Sequence, residues 1–389
     1  MLQRKISQLL GVALIAFCAV FVPFGEAKSA DDEWDVALLL PLTGAFAAWA
    51  EGVNFAVHWA VDEVNAEGGI DGRKVHITNY DTALDPATGV ARINEALRKH
   101  TVILGPFASG IVSATMPTVQ RAGAFAFVPN SGEQAVERFR PHTFNLWTDF
   151  GVAVEKTLKG YVKQNPAVKS VAIIYNPMDE FWVRFANFQK EAAENLGLEV
   201  HPLIELGQGA GAAAGAAKAL SYEADAFLVT GLNNDMIDTM LELGRRGMTD
   251  QRRIMFYPLA DDPAFVEIAK DVVDGAYLWN VFNRLNDNPR WRKFTEDYRA
   301  AHDGLDPGLL TIPYIDAVNF VKGAIKSGNL SGLEDSRQQE WKNIISYMAS
   351  YDDFAGITQN YNVIDYQMHG PAYLMQYKKG AELTLVGEY

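Results

Sequence analysis

Two short stretches, "GPFASG" at 105–110 and "PNSGEQ" at 129–134, concentrate the small polar residues that could hold a ligand. Each follows an apolar run and leads into a helical pattern. The unpaired N–H groups and partial positive charge of a helix N-terminus suit a carboxylate or phosphate, which makes Ser109 and Gly110 candidate anion ligands. The structural alternative is that Ser109 only caps its helix, a role worth about 1 kcal/mol. Asn130 and Ser131, followed by Gly132, repeat the arrangement one strand later, and two adjacent polar loops favour a site over two separate caps. Trp49, Phe107, Phe181 and Trp182 fall on loops of the same kind. There, large rings either wall a ligand or pack beneath the loops.

Other chemistry finds little footing. "FASGI" around Ser109 lacks the first Gly of G-x-S-x-G, and His58, His76, His100, His142, His201, His302 and His369 form no metal-spaced pair. A hydrolase would need a nucleophile–base pair that this pattern does not offer, and no metal site is expected. Gly207, Gly209 and Ala212 in "LGQGAGAAAGAAKAL" have dinucleotide-loop spacing. The next strand, "ADAFLVTG", ends in Thr230-Gly231 where such a site needs an acid. The segment therefore reads as an Ala/Gly-rich helix start, and no cofactor is expected.

The elements that must position these loops follow from periodicity. "DVALLLPLTG" (35–44) is a buried strand ending in a loop. In the helix at 51–69, Val53, Ala56, Val57, Ala60, Val61 and Val64 recur at i, i+3, i+4 spacing. A strand at 74–81, a helix at 85–100 with Val90, Ile93 and Leu97 inward, and strands at 101–105 and 124–130 continue the alternation. After 144–151 a second set begins, with strands at 170–176, 198–204, 224–231 and 253–258 and helices at 180–196 and 234–246. Helices at 288–302 and 311–327 and a Gly- and aromatic-rich tail at 350–389 complete the chain. Such alternation predicts two α/β units built on doubly wound parallel sheets, with ligand loops beyond the strands' carboxyl ends.

With 389 residues, 49% of them hydrophobic, the chain can bury two such cores. Its first residues combine Arg4 and Lys5, an apolar stretch from Leu9 to Val22 and Ala27-Lys28-Ser29, which predicts a cleaved signal peptide over 1–29 and export. Phe17 stands where a lipoprotein signal before Cys18 needs a small residue. Cys18 is the single cysteine, so the mature chain has no disulfide and no thiolate chemistry. Loss of Arg4, Lys5, Lys28 and Glu26 takes the formal net charge from −14 to −16, which speaks against nucleic acid or an anionic membrane as partner.

The segments "VALLLPLTGAFAAWAEGVNFAVHWAVDEVNAEGGIDGRKV" (36–75), "YDTALDPATGVA" (80–91), "ILGPFASGIVSATMPTVQRAGAFAFVPNSG" (103–132), "VAIIYN" (171–176), "LELGRRGM" (241–248) and "GITQN" (356–360) resemble the leucine/isoleucine/valine-binding family of extracytoplasmic solute-binding proteins of ABC transporters. The resemblance implies a type I periplasmic-binding fold. Three crossovers near 144–150, 276–282 and 350–360 would join a first lobe of 30–146 plus 281–352 to a second of 147–280 plus 353–389. It further implies a periplasmic monomer that closes on a small molecule and docks on a membrane permease. A ligand sensor of the same fold is the alternative.

By matched position, Ser109 and Gly110 with Asn130-Ser131-Gly132 would hold a ligand carboxylate on the first lobe, with Phe107 and Ala108 beside them as further ligand-binding positions and Trp49 lining the cleft. Phe181 or Trp182, Asn233 and the 258–262 loop would come from the second. Some relatives join the 80–86 loop to the loop before Ser109 by a disulfide; Leu84 and Ala108 stand at those positions. Where amino-acid binders place a glutamate for the α-ammonium, this chain has Leu259. A buried ammonium without a countercharge is costly, so unless Asp261 or Asp262 substitutes, the resemblance with this departure implies a partly apolar or aromatic organic acid.

Overall fold

The computed structural model describes residues 33–389 apart from 179 and 208–210, with the side chains of Glu133, Gln134 and Glu180 also excepted. The expected signal peptide and Gly209 of the Ala/Gly-rich segment lie outside the described residues.

The chain first alternates β1 (Trp34–Leu40), α1 (Ala47–Ala66), β2 (Val75–Asp81), α2 (Pro86–Lys99), β3 (Val102–Leu104), α3 (Ser109–Arg121), β4 (Ala126–Val128), the single turn α4 (Glu133–Val136) and β5 (Thr143–Asn145). A second series follows: α5 (Phe150–Gln164), β6 (Ser170–Tyr175), α6 (Glu180–Asn195), β7 (Glu199–Val200), β8 (Ile204–Glu205), α7 (Gly211–Ser221), β9 (Ala226–Thr230), α8 (Asn233–Arg245), β10 (Ile254–Phe256), α9 (Pro263–Ala269) and β11 (Tyr277–Asn280). Then come α10 (Pro289–Ala301), α11 (Thr311–Ser327), α12 (Arg337–Ala349), β12 (Asp353–Ala355), β13 (Asn360–Ile364), β14 (Gln367–His369), β15 (Tyr373–Lys378) and β16 (Glu382–Glu388).

Two eight-stranded sheets result. One runs β12-β13-β14-β5-β4-β3-β1-β2; the other runs β16-β15-β11-β10-β9-β6-β7, with β8 also on β6. The central strands are parallel and covered on both faces, which is why β1 reads as an almost unbroken apolar run. The six apolar positions expected to face inward from the first helix are all buried in α1. In α2, Ile93 and Leu97 are buried and Val90 is half-buried. Asp85 starts that helix by accepting the Thr88 N–H at 2.7 Å.

Two expectations need correction. The strand expected over 198–204 is split into β7 and β8, because Pro202 between them has no N–H to give a ladder. The chain also does not return to the second sheet at 353. Strands β12 to β14 extend the first sheet, with β14 parallel to β5, and only β15 and β16 join the second. The third crossover is therefore Gly370-Pro371-Ala372 and not 350–360; the other two are 146–149 and 281–288. The β13–β14 hairpin turns through Asp365 and Tyr366, both at positive φ, and so lacks the glycine that would have marked it in sequence.

Asp316 of α11 anchors the loop before β13. Its buried carboxylate accepts the Ile357 N–H at 2.8 Å, and burial pushes its pKa up to about 7 against that hydrogen bond and the charge of Arg290. Tyr361, also buried, lies close by. A carboxyl whose folded pKa exceeds its ordinary value stabilises the protein most below that ordinary value and stops doing so as pH rises through the folded one. Asp316→Asn is therefore expected to flatten the fall in stability between about pH 4 and pH 7. The difference between the two melting profiles should grow by several degrees across that window; parallel profiles would refute it.

Candidate functional site

The carboxyl ends of β1, β3 and β4 deliver three loops to one side of the first sheet, and those of β6, β9 and β10 deliver theirs to the facing side of the second. Between them lies a cavity with about 620 Å³ of empty space, mouth included. Trp49, Phe107, Ala108, Ser109, Asn130, Ser131, Gly132, Phe181, Trp182 and Leu259 all line it. Pro258 of the expected 258–262 loop lines it too, and Phe46, Trp147, Phe150, Tyr257, Leu309 and Leu310, not named individually from the sequence, also contribute. Their positions carry no motif. Trp147 lies in the first crossover and Phe150 directly after it at the start of α5, and Leu309 and Leu310 lie in the turn before α11.

The polar end is built by Ser109. Its predicted alternative as an N-cap does not hold: Ala108 occupies the cap without a side-chain bond, and Ser109 is the first helical residue. The Gly132 N–H donates to Ser109 Oγ at 2.8 Å, and the Ser131 hydroxyl lies 3.3 Å from the same atom. With its oxygen accepting, the Ser109 hydroxyl keeps its own hydrogen for an acceptor in the cavity. Ala108 pays in backbone strain at φ +76, a conformation its N–H bond to the Asn130 carbonyl (3.1 Å) helps hold.

Glycine at 132 lets the lobes meet. A Cβ there would sit 2.7 Å from Phe181 Cδ2, across the cavity, and 3.3 Å from Ser109 Oγ. Aromatic rings form the walls: Phe46 lies 4.8 Å from Trp49 and 6.1 Å from Phe107, while Phe181 lies 5.2 Å from Trp182 and 5.8 Å from Phe150, centroid to centroid.

Three predicted residues do not line the cavity. Gly110 sits one position further into α3. Asp261 turns away from it: fully buried, it takes both Arg284 Nε and Nη2 on Oδ1, at 2.9 and 2.8 Å, and the Asn280 amide on Oδ2. Burial pushes the Asp261 carboxyl up, and the Arg284 guanidinium and the Asn280 bond oppose it. Asn233 begins α8 and donates to Asp262 at 3.4 Å.

Asp262 is also engaged elsewhere. It accepts from the Ala264 N–H at 2.9 Å and, across the two lobes, from the Trp49 indole at 3.0 Å. Burial raises its pKa against these three donors. Neither aspartate thus stands where Leu259 fails to supply a countercharge. Among the described residues, no charged side chain and no histidine lines the cavity, and no cluster of metal-ligating residues occurs.

Two α/β lobes, three crossovers and a cavity between the loop ends define a bilobal solute-binding protein. The chain belongs to the periplasmic binding protein family, whose model matches residues 33–382. Leu/Ile/Val-binding protein homolog 3 of Brucella melitensis is 25% identical over 169 residues, 43% of this chain and 46% of that protein. Leu/Ile/Val-binding protein BraC3 of Rhizobium johnstonii is 31% identical over 123 residues, 31% of this chain and 32% of its own length. The chain thus aligns with less than half the length of these relatives.

In three dimensions it is similar to a solute-binding protein of Rhodopseudomonas palustris in complex with 3,4-dihydroxybenzoic acid (TM-score 0.78, 17% identity, 92% of this chain and 97% of that one). It is also similar to the leucine-binding protein LivK of Thermotoga maritima (TM-score 0.76, 20% identity, 91% and 98%). These likenesses establish the fold.

Proposed function

We propose that this chain is the periplasmic receptor of an ABC importer of the branched-chain amino acid type, and that it captures a small carboxylate-bearing solute of partly apolar or aromatic character. The cavity carries the reading. One end offers the Ser109 hydroxyl beside the start of α3, a setting for a carboxylate. The walls are aromatic, and the described residues at the other end supply no anion for an ammonium. Ligand contacts from the second lobe, absent in an open form, would stabilise closure, and the closed form would be what a permease recognises. The basic, apolar N-terminus supports export.

A thermal-shift screen of the chain from Ala30 tests this directly. Benzoate, phenylacetate and short aliphatic acids are compared with leucine, isoleucine and valine at millimolar concentration. A ligand at 100 times its Kd adds about 2.7 kcal/mol to stability, a clear rise in melting temperature. Stabilisation by the acids is expected. Stabilisation by the branched-chain amino acids alone would overturn the ligand class.

A further inference from the structure

The cavity lining includes a tryptophan whose buried donor the protein itself does not satisfy. Trp147 lies in the first crossover, is 3% exposed and lines the cavity, and its indole N–H has no hydrogen-bond partner among the described residues. Elsewhere the fold satisfies its indoles: Trp34, Trp49, Trp59, Trp291 and Trp341 each donate to a carbonyl or carboxylate within 3.1 Å. Trp279 also lacks a partner, but it does not line the cavity and is sealed between Phe185 and Phe150. Among the described residues, Trp147 alone combines a buried, unpaired polar atom with a place on the cavity wall.

Its position is set from all sides. The Trp147 backbone N–H donates to Asn145 Oδ1 at 3.2 Å, and its backbone carbonyl accepts the Gln367 amide at 3.3 Å. Its ring stands edge-on to Phe150 and Phe282, with centroids 5.4 and 5.1 Å away. A buried donor left without an acceptor forfeits its hydrogen bond, so an occupant that supplies an acceptor binds about tenfold more tightly than one that does not. We infer that Trp147 is a specificity-determining residue. The preferred ligand carries, besides its carboxylate, a neutral hydrogen-bond acceptor such as a hydroxyl, ether or carbonyl oxygen, placed to receive the Trp147 indole N–H. An ammonium, which only donates, cannot fill that role. This rests on the carboxylate-receptor reading above.

Calorimetric titration with benzoate and its three monohydroxy isomers, on the wild-type protein and on Trp147→Phe, tests the inference. The phenyl ring keeps most of the wall and removes the donor. At least one hydroxy isomer is expected to bind the wild type tightest, and its advantage over benzoate to shrink about tenfold in the variant. Benzoate serves as the reference ligand in each protein; because each ratio is taken within one protein, general loosening of the site cancels. An unchanged ratio overturns the role of Trp147 and leaves the receptor reading intact. Failure of all four acids to bind the wild type overturns both.

Discussion

Asp261→Ala is expected to cost about 3–5 kcal/mol of stability, the range for removing one partner of a buried ion pair. The loss comes less from the attraction forfeited than from what remains. Arg284, itself 13% exposed, would keep its charge in a site with only Asp306, 3.5 Å away, to meet it. Arg284 lies in the second crossover and Asp261 in the loop that presents Tyr257 and Leu259 to the cavity, so the pair fastens a hinge segment to one cavity wall. Urea unfolding should show the drop. Replacing both partners by apolar residues, Asp261→Leu with Arg284→Met, should recover most of it, because no charge is then stranded. A single variant as stable as the wild type would show that water or Asp306 compensates Arg284 fully.

Ser109→Ala is expected to weaken carboxylate binding by about 10- to 100-fold, the worth of a hydrogen bond to a charged group, while the ligand-free protein loses less than about 1 kcal/mol. The split follows from geometry. Ser109 does not cap α3, so its hydroxyl supports the helix little; the half-buried Gly132 N–H loses its partner, while the Ser131 hydroxyl, which also loses Ser109, keeps the Gly132 carbonyl at 3.3 Å. Calorimetric affinity and the melting temperature of the ligand-free variant check the two parts. A large stability loss with unchanged affinity would return Ser109 to a structural role.

Much of this arrangement is legible in the residues themselves. The unbroken apolar strands and the i, i+3, i+4 spacing of α1 announce doubly wound α/β units, since a strand covered on both faces must be apolar throughout. Topology then places ligand loops at strand ends, which is how Phe107, Ser109, Ser131 and Trp182 could be named in advance. Residues on the loops after β9 and β10 were harder. Asn233, Asp261 and Leu259 look equally available on a linear chain, yet only Leu259 lines the cavity. The choice depends on Arg284, more than twenty residues beyond Asp261, and on Trp49 from the other lobe, which claims Asp262.

The sequence by itself determined the fold class, the export signal as an expectation, the absence of cysteine chemistry in the expected mature chain and the polar loops of the first lobe, because each depends on local pattern or composition. The tertiary structure alone decided the rest. It showed that Ser109 bonds Gly132 instead of capping its helix and that both aspartates are spent on Arg284 and Trp49. It also placed 353–369 in the first sheet and left Trp147 with a buried donor facing no partner. These outcomes turn on which side chains from distant segments meet in three dimensions, and no local spacing encodes that.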